Sequence, residues 1–472
     1  MVGIKIALVH SPYFHQKFME NLDFVSDNFG CLPPLGLMYV SSILKNNGHE
    51  VCLIDCKAEN LSKEKTVDIL REFKPDLVGL MLTIFMGGET LKWAKYIKEK
   101  LNVPIIVGNY AMIHYAEAVI HNNFIDYGIV GSAREALPKL LDALENNKKI
   151  ENIEGLAFRN DKGEIVVNYP SEITEDLDKL PYPDREIVDN SLYYSMASKK
   201  NPFTILITSY GCPFLCDFCD MGKFGYRERS VKSVVDEIEE CVNKFGIKEI
   251  DIFDRDFLIN KERSKKICLE ILNRGIDVSW SCRARVDQVD ENLLKTMKRA
   301  GCRLIMYGVE SGNQKMLDRE NKGITIQQIK EAINLTKQVG MEVLGFLIIG
   351  HPGETEETIE QTIKFSKELP LDYIQFFKMT GKPGAKLYKE VVKHMGYDYF
   401  EEFLKGNVEE MDLPRPWTNL TNKEIEEWVM KAYVSFYLRP TYIFQRLLKI
   451  GSFGEFLKYA KIGLKVVKLK LH

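Results

Sequence analysis

The sequence contains no apolar run of the roughly 18–20 residues needed to cross a bilayer. Its first residues, Met1-Val-Gly-Ile-Lys-Ile-Ala-Leu-Val9, lack the basic segment of a secretion signal. Neither a membrane span nor a secretory leader is expected. Charge of one sign is missing as well: 64 basic against 67 acidic residues leave a net charge of −3, which gives no general pull toward nucleic acid. There is no second C-x2-C pair and no H-x3–5-H, so a closed four-ligand zinc site is disfavoured. There is no G-x-G-x-x-G, which argues against a dinucleotide fingerprint. What remains is an ordinary globular balance, 45% hydrophobic and 28% charged, over 472 residues, enough for two or three domains.

Against these absences stand ten cysteines. Three of them lie in Ser209-Tyr-Gly-Cys-Pro-Phe-Leu-Cys-Asp-Phe-Cys219, a C-x3-C-x2-C run. Three thiolates are one too few for a closed cage, but they suit a [4Fe–4S] cluster that keeps one iron open to a non-protein ligand. A thioredoxin-like reading of Cys216-Asp-Phe-Cys219 leaves Cys212 unexplained. Three unrelated buried thiols crowded into so short a stretch is the remaining, blander alternative. Cys212, Cys216 and Cys219 are therefore the candidate metal ligands. Cys31, Cys52, Cys56, Cys241, Cys268, Cys282 and Cys302 are scattered and read as small buried hydrophobes. Cysteine-rich, with no export signal, the chain fits a reducing, cytoplasmic setting.

Two α/β patterns follow each other. In residues 1–150, apolar runs alternate with helical stretches, a doubly wound, Rossmann-like parallel sheet with binding loops at the strand C-termini. Residues 151–199 read as a hairpin, Ile153–Phe158 with Glu164–Asn168, and a proline-punctuated linker at Leu177–Asp184. Residues 200–385 hold six strand candidates, Phe203–Thr208, Glu249–Phe253, Val278–Cys282, Leu304–Val309, Val343–Ile349 and Tyr373–Phe377, separated by helices. Six such units make a partial TIM barrel, whose open side is expected to admit a large substrate or a neighbouring domain. Residues 386–472 read as helical. The last stretch, Phe456 to Leu471, interleaves Lys458, Lys461, Lys465, Lys468 and Lys470 with aliphatic residues, as a basic amphipathic helix on an anionic membrane would.

The cysteine run is that of the radical SAM superfamily. With Pro33-Pro-Leu-Gly-Leu37, Leu177-Asp-Lys-Leu-Pro-Tyr-Pro183, Trp280-Ser-Cys-Arg-Ala-Arg285, Tyr307-Gly-Val-Glu-Ser-Gly312 and Ile349-Gly-His-Pro-Gly-Glu354, the chain resembles the cobalamin-dependent radical SAM family over roughly residues 1–390, and again at Tyr437-Leu-Arg-Pro440. The resemblance implies a cobalamin-binding domain, then a (β/α)6 barrel carrying the [4Fe–4S] cluster and S-adenosylmethionine (SAM). It implies that an electron from a donor such as ferredoxin or flavodoxin cleaves SAM, that the resulting radical abstracts hydrogen from an unactivated carbon, and that methylcobalamin methylates it. Coupling, cyclisation or oxidation of a membrane lipid or tetrapyrrole is the main alternative, and a non-catalytic SAM-binding regulator the other.

For SAM, the resemblance points to Arg283 and Arg285 beside the methionine carboxylate, and to Glu310 and Ser311 at the ribose hydroxyls or ammonium. It places Ile348, Gly350, Pro352 and Gly353 against the adenine. Asp254 and Asp256 are as fit for a salt bridge as for a ligand contact. For cobalamin it points to the loops holding Ser11, Tyr13, Thr83, Phe85, Met86, Gly108, Asn109, Tyr110, Gly131 and Ser132. Many relatives carry G-G-x-H and G-E-G-E where this chain has Gly108-Asn-Tyr-Ala111 and Gly131-Ser-Ala-Arg-Glu135. D-x-H-x-x-G, which supplies a lower histidine in some cobalamin proteins, is absent, so the cofactor is expected without one. His10 and His15 are expected as surface histidines. The partners implied are a small-molecule or lipid substrate and an electron donor, with peripheral contact on the inner membrane face through the tail.

Overall fold

The apolar runs of the first third fold as strands whose alternate residues face opposite ways. In β1 (Lys5–His10), Ile6 and Leu8 meet one layer of helices, and Ala7 and Val9 meet the other. Burial on both faces explains why these strands read as unbroken apolar runs. β1 lies between β2 (Glu50–Asp55) and β3 (Leu77–Met81); β4 (Ile105–Gly108) and β5 (Tyr127–Ile129) extend the sheet, all in parallel. Helices Leu35–Asn46 and Ala133–Glu145 cover one face, and Lys63–Phe73, Gly87–Leu101 and Tyr110–Ile120 the other. The strand order reverses between β1 and β3, and this switch point opens a crevice at their C-terminal ends.

This computed structural model describes residues 3–12, 30–170, 176–195 and 197–448. Tyr13, His15 and the lysine-rich tail fall outside them. The expected hairpin, β6 (Leu156–Arg159) and β7 (Ile165–Val167), joins antiparallel to β5, so the first sheet runs past the boundary expected near residue 150. His10 is a correction. It is buried, not a surface residue, because β1 and β2 end level with each other: its Nδ1 lies 3.0 Å from Asp55 Oδ1, and Tyr193 donates its hydroxyl to Asp55 at 3.0 Å.

The second sheet runs in chain order, all parallel: β8 (Phe203–Leu206), β9 (Glu249–Ile252), β10 (Ser279–Ala284), β11 (Cys302–Glu310), β12 (Glu342–Ile349) and β13 (Tyr373–Lys378). Ile250, Ile252, Trp280, Cys282, Ile305 and Tyr307 pack outward on the helices. By alternation Asp251, Ser281 and Arg283 face the concave side. Arg303 plugs the bottom of that side, bonded to Glu249 at 2.6 Å and Glu342 at 2.5 Å.

The outer edge of the last strand is capped. Helix Asn422–Tyr437 lies along β13, where the hydroxyls of Tyr433 and Tyr437 donate to the carbonyls of Phe376 and Ile374 and accept their N–H groups. These bonds satisfy the edge strand that a partial barrel leaves bare. Helices Lys386–Met395 and Tyr399–Lys405 share an apolar core with the first sheet through Leu387, Tyr388, Phe400 and Leu404. Among the described residues no helix is long and apolar enough to cross a membrane.

Candidate active site between the two sheets

The cysteine loop leaves β8 under firm control. Asp254, after β9, accepts from Thr208 N (2.6 Å), Ser209 N (3.1 Å) and Ser209 Oγ (2.7 Å). Gly211 has φ +79°, and a Cβ there would sit 1.6 Å from the Gly225 carbonyl oxygen, so only glycine fits. On the far side Asp217 N donates to the Glu320 carbonyl (3.0 Å) and Asn321 Nδ2 to the Leu215 carbonyl (3.0 Å). Asp254 is thus a positioning residue, neither salt-bridged nor free for a ligand.

Cys216 is buried, and Cys212 and Cys219 are half-buried; all three are free thiols. Burial pushes the Cys216 thiol up to about 11, against the pull of Lys322 and Arg285. Among the described residues no three His, Cys, Asp or Glu side chains are gathered closely enough to hold a metal ion. The donor set nevertheless fits a cluster: three soft thiols on one pinned loop, with two cations beside them to offset thiolate charge. Asp256 lies beside them; its Oδ2 is buried without a partner, and burial pushes the carboxyl up to about 6.

The SAM candidates separate into those near this loop and those turned elsewhere. Arg285 stacks on Phe214 of the cysteine loop, 3.9 Å from the ring, and bonds Asp287 and the Lys322 carbonyl. Arg283 lies inside the barrel with its fork held by Asp251 at 3.0 Å on both arms. Glu310 has φ +59° at the end of β11 and holds Lys322 at 2.5 Å. Gly308 makes room for this pair, since a Cβ there would lie 2.5 Å from the Glu310 carboxylate. Ser311 turns outward to Thr362 at 3.1 Å. Ile348 is buried, while Gly350 (φ +95°) and Gly353 (φ +67°) shape the turn after β12; Arg319 donates to the Pro352 carbonyl at 2.9 Å.

Sequence reasoning missed Lys322, Glu320 and His351. Residues 319–322 touch the cysteine loop on one side and the Gly350–Gly353 turn on the other. Glu320 bonds His351 Nδ1, and Glu354 accepts from the backbone N–H of Gly350 (2.5 Å) and His351 (3.0 Å). Burial alone would lower the His351 pKa, but the Glu320 carboxylate raises it to about 9. A pKa raised on folding adds stability that is full below the unfolded value near 6.5 and is lost as pH rises through about 9. His351→Gln should therefore unfold at lower temperature than wild type at about pH 6, by on the order of 3 kcal/mol, with the gap closing by about pH 10. Thermal melts at both pH values check this; a gap that widens with pH would rule it out.

In the first sheet, Ser11 bonds Thr90 Oγ1 at 3.0 Å, and Thr83 Oγ1 is buried without a partner at the switch point. A cavity of about 190 Å³ lies under the strand ends, lined by Gly36, Gly79, Gly108, Asn109 and Gly131 among aliphatic side chains. The glycines leave space that Cβ atoms would fill. This apolar cradle fits part of a large cofactor. Met86 and Ser132 start helices, and Phe85 packs edge-on against Phe400 at 5.6 Å. Tyr110 reaches the other domain, its ring 6.2 Å from Phe224 and its hydroxyl 3.5 Å from the Pro383 carbonyl.

Two family models match the chain: the B12 binding domain at residues 25–141, and the radical SAM superfamily at residues 206–366. The chain belongs to the cobalamin-dependent radical SAM family, and its cofactors are a [4Fe–4S] cluster, SAM and cobalamin. It is 33% identical to an uncharacterized methyltransferase of Pyrococcus horikoshii, covering 89% of this chain and 91% of that one. It is 30% identical to the anaerobic magnesium-protoporphyrin IX monomethyl ester cyclase of Cereibacter sphaeroides, over 96% of this chain and 75% of that one. The radical SAM methyltransferase TsrM from Kitasatospora setae, solved with cobalamin and a [4Fe–4S] cluster, shares the fold: TM-score 0.66 and 19% identity, over 83% of this chain and 75% of that one.

Proposed function

We propose that this enzyme places a methyl group on an unactivated carbon of a small-molecule or lipid substrate inside the cell. The observation that carries this reading is the meeting of the two domains at their strand C-termini, where Tyr110 of the first sheet packs against Phe224, just beyond the cysteine loop. When bound, the cluster with SAM supplies a hydrogen-abstracting radical, and cobalamin supplies the methyl group. The chain's own residues hold the cysteine loop in place, through Asp254 and Glu320, and close the bottom of the barrel with Arg303. The electron comes from a ferredoxin or flavodoxin. Under anaerobic reduction, a lysate fraction containing the substrate should yield a product one methyl heavier, with 5′-deoxyadenosine and S-adenosylhomocysteine formed in equal amounts. Deoxyadenosine without S-adenosylhomocysteine would sink the methyl-transfer reading.

That outcome would favour the second reading, ring closure or oxidation without methyl transfer. The likeness to the cyclase over nearly the whole chain supports it. The lysine-rich tail bears on substrate delivery. It follows helix Pro440–Leu447, which packs at the N-terminal ends of the last barrel strands, where Tyr442 donates to the Asp372 carbonyl at 2.9 Å.

A further inference from the structure

One polar pair at the domain boundary has no role in the site described above. His114 lies on helix Tyr110–Ile120 of the first sheet, and Asp220 directly follows Cys219. Their Nε2 and Oδ2 atoms are 4.0 Å apart. Both atoms are buried and neither has a hydrogen-bond partner. Four ångströms is too long for a direct bond. Leaving a buried donor and a buried acceptor both unmade is costly, so such a pair calls for a bridging group.

The surroundings are shaped for this approach. Gly384 backs both side chains: a Cβ there would be 3.0 Å from His114 Cε1 and 3.1 Å from Asp220 Cβ. Tyr110 and Phe224 flank the imidazole, with ring centroids at 4.8 Å and 6.3 Å. An imidazole nitrogen and a carboxyl oxygen each donate or accept according to where the proton sits. The site therefore offers two buried hydrogen-bonding atoms, one from each domain, that await a partner.

That pattern selects among ligand groups. A carboxylate only accepts, and an ammonium only donates. A primary carboxamide does both, through its carbonyl and its amide, and so answers the pair whichever of the two atoms carries the proton. SAM carries no carboxamide, whereas the rim of the cobalamin macrocycle carries several. We propose that His114 and Asp220 together grip one rim carboxamide of cobalamin, so that the bound cofactor bridges the first sheet and the cysteine loop. This rests on cobalamin being the cofactor and not on the choice between methylation and ring closure.

The test uses full-length protein with its cluster reconstituted anaerobically, titrated with cobalamin and followed by corrin absorbance. His114→Ala and Asp220→Ala should each weaken binding by about tenfold or more. His114→Gln, which keeps a donor, should recover most of the loss. The sharper probe is the set of cobalamin monocarboxylic acids, in which a single rim carboxamide is replaced by a carboxylate. Wild type should reject one isomer, and Asp220→Asn should relax that rejection, since its amide can donate to the acid. Iron content is measured alongside. If the Asp220 variants lose iron, the His114 variants decide. Wild-type affinity in His114→Ala, or equal binding of every monoacid, overturns the proposal. Unchanged cobalamin affinity with altered product formation in His114→Ala also overturns it, and gives the pair to the substrate.

Discussion

Alanine at Cys212, Cys216 and Cys219 together should leave a folded protein that holds no cluster and forms no detectable 5′-deoxyadenosine. Reconstituted wild type should hold about four irons per chain. The loop does not depend on its thiols for position. Asp254 fixes its start, Gly211 fits against the Gly225 carbonyl, and Asp217 and Asn321 tie down its far side. The metal-free triple variant should therefore melt close to metal-free wild type, while losing all activity. Two other cysteines serve as controls. Cys268 is fully buried among helix side chains, and alanine there should cost about 1 kcal/mol by leaving a small void, with the cluster intact. Cys241 Sγ accepts from Arg185 Nε at 3.0 Å, beside the Arg185–Glu237 ion pair. Alanine at 241 unpairs a buried guanidinium N–H, so its cost should be larger, again in stability alone. Iron analysis and deoxyadenosine assays read all three; persistent cleavage of SAM in the triple variant overturns the ligand assignment.

The contrast between Cys268 and Cys241 shows what sequence carries and what it does not. Apolar period and turn residues are local, and they place the strands well: Leu304–Val309 is expected and Cys302–Glu310 is observed, Tyr373–Phe377 expected and Tyr373–Lys378 observed. The cysteine spacing is local too, and so is the glycine-rich turn after β12. Partnerships across long stretches of chain leave no such trace. Lys322 sits in an ordinary helix-ending turn and gains meaning only because β11 delivers Glu310 to it. His10 lies in what reads as a loop, yet register with β2 buries it on Asp55. His114 meets Asp220 only after two domains dock. Arg283 and Arg285 illustrate the limit most directly. Two positions apart on one strand end, they look equivalent in sequence. The strand ends at Ala284, so Arg283 faces inward to Asp251 from within it, while Arg285, already in the following turn, stacks on the cysteine loop.

Replacing Glu310 should have an effect nearly as large as losing the cysteines, and for two separable reasons. Glu310 and Lys322 are both buried, and their ion pair is 2.5 Å long. Glu310→Gln leaves the ammonium of Lys322 buried without its counter-charge and near the like charge of Arg285, a loss of about 3–5 kcal/mol. The double variant Glu310→Gln with Lys322→Met removes the orphaned charge, so most of that stability should return, because apolar replacements of buried pairs are often neutral. Activity should behave differently. Glu310 ends β11 on the same side as the cysteine loop, where a carboxylate can accept from the hydroxyls or ammonium of SAM. Gln at position 310 keeps only a neutral acceptor oxygen, and no substitution at position 322 restores the charged one. The double variant should therefore melt near wild type, carry a full cluster and still bind SAM about a hundredfold more weakly, as loss of a buried charged hydrogen-bond acceptor implies. The change in the reduced cluster's electron paramagnetic resonance spectrum on adding SAM reports that affinity directly. If stability and SAM binding return together in the double variant, Glu310 serves the fold alone and the SAM contact lies elsewhere.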